Sequence, residues 1–272
     1  MQELTIFQAI VLGALQGLTE FLPVSSSAHL SLTPWVFGWT PAGLGFDLAL
    51  HVGTLLAVLV YFRAEWKALF LGGLSLIRHR RAVDDAARRA AFIIVATIPA
   101  GIAGALMSDL AETVFRAPII TACALIIMGA LLWLVDARAA RVRTLETMGW
   151  RDALLVGFAQ VLALVPGVSR SGSTMTAGRA LGFDRSAAAV FSFLMSMPII
   201  LAAALVKVPA AVAEVGLSAP LVAGVLTAAL SGWLAIAGLL RFISRTGYGV
   251  FAIYRFVLGG VILVLIYTRG GW

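Results

Sequence analysis

Six uninterrupted apolar stretches dominate the 272-residue sequence, near positions 46–62, 90–107, 117–135, 187–206, 219–240 and 249–267. An α-helix needs roughly 20 apolar residues to span the hydrocarbon core of a bilayer. Hydrophobic residues make up 61% of the chain and charged residues only 12%, with a mean hydropathy of +1.00. The sequence therefore predicts an all-α integral membrane protein with six transmembrane helices.

Two further apolar segments, about 5–38 and 152–183, are each interrupted near the middle by proline and a serine-rich run, PVSSSAH and PGVSRSGST. Neither half is long enough to cross a bilayer alone. Backbone that leaves the helix at membrane depth must be buried in protein or line a wet cavity. We therefore predict two re-entrant helical hairpins and expect the functional groups at their tips.

Basic residues orient this arrangement. Arginine and lysine concentrate in segments 63–89 and 137–151, which the positive-inside rule places in the cytoplasm as loops. Both termini then lie outside, the first hairpin enters from the outer face and the second from the inner face. The net charge of +7 is explained by topology, so it does not indicate a nucleic-acid partner.

An internal repeat agrees with that inversion. The stretch GALQGLTEFLPVSSS (13–27) is similar to GFAQVLALVPGVSRS (157–171). We predict one membrane domain, 1–272, built from two repeats of opposite orientation, 1–136 and 137–272, each a hairpin followed by three spans. Inverted repeats of this kind place a binding site near the midplane at their interface.

The first tip holds a carboxylate, a run of hydroxyls and an imidazole. Glu20 lies within an apolar run, where an ionisable side chain is costly enough to be a functional candidate. Pro23 ends the first half-helix, and any of the three serines at 25–27 can cap the second. His29 then falls in the first turn of that second half-helix.

The second tip has the composition of an anion site. Arg170 stands between two serines, with Gly167 and Gly172 permitting close backbone approach and Ser171, Ser173 or Thr174 predicted to start a helix. Backbone N–H groups at a helix N-terminus, together with a guanidinium, suit phosphate oxygens. Arg170 is also the expected ion-pair partner of Glu20.

Four other polar residues have simpler interpretations. Arg179 and Arg255 stand near the inner ends of helices, where arginine commonly snorkels to the interface. Asp47 and His51 lie one turn apart on the first span and could face the cavity, but a helix-start carboxylate and an outer-leaflet histidine explain them almost as well. We assign them at most a supporting role.

The motifs QGLTEFLPVSSSAH (16–29) and PGVSRSGST (166–174), with FAIYRF (251–256), resemble the undecaprenyl-pyrophosphate phosphatase family of bacitracin-resistance proteins over essentially the whole chain. The resemblance implies a hydrolase of the bacterial cytoplasmic membrane, opening to the outer side, that converts undecaprenyl diphosphate to the monophosphate and so recycles the lipid carrier of cell-wall synthesis. Bacitracin would then compete for the substrate rather than bind the protein.

Carried over onto this chain, the catalytic positions are Ser26, His29, Glu20 and Arg170. The candidate phosphate-binding hydroxyls of the two tips are Ser25, Ser27, Ser169, Ser171, Ser173 and Thr174.

For the chemistry we expect Ser26 to act as nucleophile, with His29 or Glu20 removing its proton. A divalent ion, Mg²⁺ or Ca²⁺, is expected to bridge Glu20 and the diphosphate. Many family members have Glu where this chain has Gln16, so the ion would be held mainly by substrate.

The expected partners are a polyprenyl diphosphate and bilayer lipids, without nucleic acid, and a homodimer is left open. The alternatives are a transporter or flippase of a phosphate-bearing polyprenyl lipid and a structural membrane subunit.

Overall fold

The computed structural model describes residues 4–82, 84–107, 110, 115 and 117–269. Within that part of the chain the regular secondary structure is helical, apart from a single bridge between Arg143 and Phe183. The α-helices are, in chain order, α1 (Ile6–Phe21), α2 (Ser26–Phe37), α3 (Leu44–Tyr61), α4 (Arg63–His79), α5 (Asp85–Leu106), α6 (Pro118–Arg138), α7 (Trp150–Val161), α8 (Arg170–Ala180), α9 (Arg185–Val215), α10 (Ala219–Arg245) and α11 (Gly249–Arg269).

Among the described residues, five helices are long and apolar enough to cross a membrane, namely α5, α6, α9 over Arg185–Val206, α10 and α11. Counting α3 together with α4 gives a sixth crossing. The chain is therefore a multi-pass membrane protein with five or six candidate spans, and the exact number of six stays a prediction. The re-entrant character of the broken segments stays a prediction, as does the side of each terminus, since residues 1–3 and 270–272 lie outside the described part of the chain.

Segment 63–89, predicted to be a loop, instead contains the helix α4 and the start of α5. The axis of α4 makes an angle of 89° with that of α3. It exposes Phe70 and Ile77 beside the basic residues Arg63 and Lys67, the composition of a helix that lies along a membrane surface. The sequence pattern concealed it because these basic residues interrupt the apolar periodicity.

The two broken segments are helix pairs, as the sequence predicts. Thr5 and Gln8 start α1 with a capping box, in which the Thr5 hydroxyl accepts from the Gln8 amide and the Gln8 side chain accepts from the Thr5 amide. The helix ends at Phe21 because Pro23 disfavours the helical conformation at the preceding residue, and Leu22 is extended with φ −68° and ψ 141°. The chain then turns and re-enters a helix at Ser26.

The two broken segments pack against long helices of the other half of the chain. Helix α1 packs against α10, and its counterpart α7 packs against α5, while α3 packs on α9 and α6 on α11. Glycines permit the closest approaches, since a Cβ at Gly17 would collide with Ser231 on α10 and a Cβ at Gly157 would meet the backbone of Ala96 on α5. Small residues at helix interfaces are the usual way for membrane helices to gain packing contacts. The division into two repeats, 1–136 and 137–272, stays a prediction.

A buried ion cluster ties α6 to the end of α8. Asp136 Oδ1 accepts from Arg179 Nε at 2.9 Å, and Asp136 Oδ2 accepts from Arg185 at 2.7 Å and from the Tyr248 amide at 3.1 Å. Arg179 is fully buried, and its remaining guanidinium N–H groups donate to main-chain carbonyls. The interpretation of Arg179 as a snorkelling anchor is therefore wrong; it fixes the helix that carries Arg170.

The start of α7 is held in a similar way. Asp152 accepts from the Gly149 amide and from both terminal nitrogens of Arg143, at 2.6 and 3.0 Å. Arg143 also donates to the carbonyl of Leu181, at the end of α8. The hydrogen bond to Asp152 raises the pKa of the Arg143 guanidinium above its ordinary value. Both half-helices of the second segment are thus anchored to the loop before α7.

Candidate active site

The two hairpin tips are in direct contact. The Gly167 amide donates to Ser25 Oγ at 3.1 Å, and the Ser171 hydroxyl donates to the carbonyl of Leu22 at 3.0 Å. These bonds join residues more than 140 positions apart in the chain. The fold therefore brings together the two motifs that the sequence singled out.

Both tips use the same backbone turn. Ser25 and Ser169 have φ values of 73° and 72°, a region that costs a non-glycine residue roughly 1–3 kcal/mol and is found mostly at functional sites. Each is the N-cap of the following helix. The Ser169 hydroxyl accepts from the Gly172 amide at 3.1 Å, whereas Ser25 makes no side-chain cap. The predicted start of the second half-helix at Ser171, Ser173 or Thr174 is thus wrong, because the helix begins at Arg170.

Glu20 is the centre of the site. Its Oε1 accepts from Arg170 at 2.7 Å, and its Oε2 accepts from the Ser26 hydroxyl at 2.7 Å and from the Gln16 amide at 3.1 Å. The Glu20 side chain is 7% exposed and that of Arg170 is 13% exposed. The predicted Glu20–Arg170 pair is present, and Ser26 shares the same carboxylate.

Arg170 is held from its other side as well. Its second terminal nitrogen donates to the carbonyl of Ser192 on α9 at 3.0 Å. The Ser192 hydroxyl lies 2.7 Å from that of Thr174, one turn along α8. The guanidinium is therefore oriented by two partners, and one edge of it faces Glu20 and Ser26.

His29 does not face Ser26. Its Nδ1 donates to the carbonyl of Ser25 at 2.7 Å, which leaves Nε2 of the neutral ring to accept from the Tyr254 hydroxyl at 2.6 Å. The two rings are stacked with centroids 5.6 Å apart and planes inclined by 7°. Of the two bases considered for Ser26, the structure places Glu20 at the hydroxyl and turns both nitrogens of His29 towards other groups.

His51 and Asp47, given only a supporting role by the sequence, lie at the site. His51 Nε2 is 3.6 Å from Glu20 Oε2, and its Nδ1 donates to the Asp47 carbonyl at 2.7 Å. Both residues line a cavity of about 320 Å³ beside Ser27, together with apolar residues of α1 and α2 such as Leu12. Their spacing of four residues on α3 was the available signal, but only the packing of α3 brings them to Glu20.

Most predicted phosphate-binding hydroxyls serve the backbone. Ser173 and Thr174 donate to the Arg170 carbonyl at 3.1 and 2.8 Å, and both residues are buried. Ser169 caps α8 and Ser171 reaches across to the first tip. Ser27 is the member of the set that lines the cavity. The geometry thus gives these hydroxyls a role in holding the tips.

Arg255 lies at the candidate site, where the sequence interpretation did not place it. It is fully buried, and its terminal nitrogens donate to Pro23 O at 3.0 Å, Gly167 O at 2.7 Å and Val168 O at 3.0 Å. One side chain therefore binds the main chain of both tips, and the snorkelling interpretation is wrong. A lone arginine within an apolar span carried the same signal as Glu20.

The oxygen atoms available to a cation are few. Among the described residues no cluster of three or more His, Cys, Asp or Glu side chains could hold a metal ion. Next to the Glu20 carboxylate, however, Gln16 Oε1 is buried and without a hydrogen-bond partner. A carboxylate and an amide oxygen are ligands that Mg²⁺ and Ca²⁺ accept, provided that other oxygens complete the shell.

Comparison with known proteins identifies relatives along the whole chain. Residues 9–261 match the family model described as bacitracin resistance protein BacA. The chain is 58% identical over 266 residues to the undecaprenyl-diphosphatase of Gemmatimonas aurantiaca, covering 98% of this chain and 100% of that one. It is 48% identical over 267 residues to the protein of the same name from Moorella thermoacetica, with 98% and 100% covered. The corresponding protein of Pelotomaculum thermopropionicum is 44% identical over 266 residues, with 98% of each chain covered.

Proposed function

The chain belongs to the BacA family of bacitracin resistance proteins, and on that premise we propose that it hydrolyses undecaprenyl diphosphate to undecaprenyl phosphate and phosphate. The observation that carries this proposal is the arrangement of Ser26 and Arg170 on the two oxygens of Glu20. A nucleophile, a base and a phosphate-binding cation lie within one hydrogen-bonded group. The same arrangement lies where two half-helix N-termini meet, and helix N-termini bind anions.

The first step forms a covalent intermediate. Ser26 Oγ attacks the terminal phosphorus, its proton passes to Glu20 Oε2, and the bond from that phosphorus to the bridging oxygen breaks. The lipid leaves as its monophosphate, and the phosphoryl group stays on the serine. Glu20 is the base because its carboxylate is 2.7 Å from the hydroxyl.

The second step returns the enzyme to its starting state. Once Glu20 has passed the serine proton to the departing lipid monophosphate, a water molecule attacks the phosphoserine and gives a proton to Glu20. Glu20 returns this proton to Ser26 Oγ as the bond from phosphorus to Oγ breaks, and phosphate leaves. Arg170 contributes to both steps, because its planar fork can leave Glu20 and bind two equatorial phosphoryl oxygens. Preorganised charge of this kind supplies the larger share of catalysis in phosphoryl transfer.

A divalent cation is part of the proposal. Gln16 Oε1 and the Glu20 carboxylate are the protein oxygens that would hold it, and the phosphates would supply further ligands. When bound, such an ion neutralises charge on the diphosphate. Because residue 16 is an amide and not a second carboxylate, the protein would contribute few of the cation's ligands. Cation binding is therefore expected to require bound substrate.

The remaining features follow the same proposal. The site would open to the outer side of the bacterial cytoplasmic membrane, with both chain termini on that side. Bacitracin would act by competing for the lipid diphosphate. The orientation is supported by the concentration of basic residues in segments 63–89 and 137–151.

Phosphate release by the purified protein in detergent tests the function. Wild-type protein should release one phosphate per undecaprenyl diphosphate, and Ser26→Ala should lose more than about a thousandfold in kcat, as expected for deletion of a covalent nucleophile. The matched control is Ser244→Ala, whose hydroxyl bonds only within the exposed end of α10. A transporter or flippase of phosphate-bearing lipid would bind the substrate in detergent and release no phosphate. That result would refute the proposed hydrolase activity.

A further inference from the structure

A second concave surface, here called the α6 groove, runs beside the active site. It has a volume of about 370 Å³. Its wall on α6 includes Ile119, Cys123 and Ile127, and its wall on the second hairpin includes Leu162, Val165 and Val168. None of its lining residues carries a charge, a hydroxyl or an amide.

The groove adjoins the active-site cavity. Thr121 and Pro166 line the cavity, while their chain neighbours Ile120 and Val165 line the groove. Thr121 and Gly167 form the wall between them, since a Cβ at Gly167 would strike the Thr121 carbonyl. One space therefore presents Ser27, Asp47 and His51, and the adjacent space presents only apolar groups.

The groove also runs along α6, as a bound lipid chain would have to do to reach the active site. From Ile119, at the start of α6, to Ile127 the helix rises about 12 Å. Those two residues are 50% and 58% exposed. The groove wall formed by the second hairpin ends at Val168, two residues before Arg170. A molecule bound in the groove would therefore reach the second hairpin tip at one end and would lie against the exposed face of α6 along its length.

We propose that the α6 groove binds the isoprenoid units of the substrate nearest to the diphosphate, while the diphosphate lies between the two tips. The proposal rests on the proposed function and extends it to chain recognition. The substrate has a polar diphosphate and a wholly apolar polyprenyl chain. The diphosphate therefore suits the cavity that presents Ser27, Asp47 and His51, and the chain suits the apolar groove. Burial of each methylene contributes about 0.8 kcal/mol, which makes affinity depend on chain length.

Filling the groove tests the proposal. Cys123→Trp should raise KM for undecaprenyl diphosphate about fifteenfold, because excluding roughly two methylenes costs about 1.6 kcal/mol, and should leave kcat within twofold. The matched control is Leu131→Trp, since Leu131 lies two turns further along α6, is 42% exposed and is outside the groove. Dimethylallyl diphosphate, whose five carbons hardly enter the groove, should show no change in KM for either variant.

The possible results separate the two proposals. Equal KM values for Cys123→Trp and Leu131→Trp on undecaprenyl diphosphate would refute the proposed binding of the isoprenoid chain in the α6 groove. The proposed hydrolase activity would be unaffected by that result. An equal rise of KM for both substrates in Cys123→Trp would also overturn it, since the effect would not depend on the chain. If the wild-type protein releases phosphate from neither substrate, the proposed function itself fails.

The unmodified chain offers a second measurement, because Cys123 is its single cysteine and is exposed. Undecaprenyl phosphate, which is not consumed, should slow alkylation of Cys123 by N-ethylmaleimide at least about fivefold, the effect expected when a ligand occupies most sites. Inorganic phosphate should not. Unchanged alkylation with undecaprenyl phosphate, or equal protection by phosphatidylglycerol at the same mole fraction, would show that the chain lies elsewhere or that ordinary lipid fills the groove.

Discussion

Ser26 and Arg170 occupy equivalent places in the two hairpin tips: each is the first residue of a half-helix, and each follows a serine whose φ is close to +72°. In the aligned stretches PVSSS (23–27) and GVSRS (167–171) they are also the same position. The first tip thus carries the proposed nucleophile and the second tip the proposed phosphate-binding cation, each after the same backbone turn. Glu20, which has no carboxylate counterpart in the second repeat, joins them.

Glu20→Gln is predicted to abolish phosphoenzyme formation. The amide keeps the size of the side chain but cannot take the Ser26 proton, so kcat should fall by about 10²–10⁴. Rapid quenching with ³²P-labelled substrate followed by phosphopeptide mapping measures the intermediate. Label on Ser26 in the wild-type protein and none in Glu20→Gln is the expected result; label on His29 would refute the serine mechanism.

Arg170→Lys is predicted to reduce kcat by about 10²–10³, although the charge is retained. An ammonium group cannot bind two phosphoryl oxygens in one plane or donate to Glu20 and the Ser192 carbonyl together. The control is Arg141→Lys, an exposed arginine of the loop before α7. Activity of Arg170→Lys within about threefold of wild type would reduce Arg170 to a distant counter-charge.

Tyr254→Phe is predicted to leave kcat within about twofold of wild type, because the variant removes only the hydrogen bond to His29 Nε2. In the proposed mechanism Glu20, not His29, takes the Ser26 proton. The stacked ring is retained, so folding should be unaffected. Tyr267→Phe on the same helix is the control, since Tyr267 is 89% exposed. A loss equal to that of Ser26→Ala would mean instead that the tyrosine hydroxyl takes part directly in the reaction.

Asp136→Asn is predicted to destabilise the protein without altering the chemistry of the tips. It leaves the buried Arg179 charge unpaired, which costs about 3–5 kcal/mol. Thermal unfolding in detergent should show Tm lower by about 10 °C, while Asp85→Asn, which removes the exposed ion pair with Arg88, should shift Tm little. Equal Tm values for the two variants would contradict a structural role for the cluster.

Membrane orientation can be measured in a Cys123→Ser background. A cysteine introduced at Thr40, exposed between α2 and α3, should react with an impermeant maleimide in intact cells, whereas one at Arg81 should react only after lysis. The reverse pattern would invert the topology and place the site on the inner face.

Much of the architecture was determined by the sequence alone. Long apolar runs favour membrane-spanning helices, and a proline followed by a serine-rich run, as at 23–27 and 166–174, favours a break, because both effects act over a few neighbouring residues. The same local logic made Glu20, Arg170 and the serine run 25–27 candidates, since an ionisable side chain at membrane depth is costly without a function. The choice of Ser26 among the serines came from the family resemblance. Local patterns were less informative for α4, whose basic residues interrupt its apolar face.

Only the tertiary structure decided which groups act on one another. His29 and Glu20 are both near Ser26 in sequence, yet Tyr254, 225 residues from His29, draws the imidazole away and leaves the carboxylate at the hydroxyl. Arg255 looked like an interfacial anchor until the folded chain placed the carbonyls of both tips around it. Hydrogen bonds between distant segments depend on how helices pack, and neither hydropathy nor motif spacing encodes that packing.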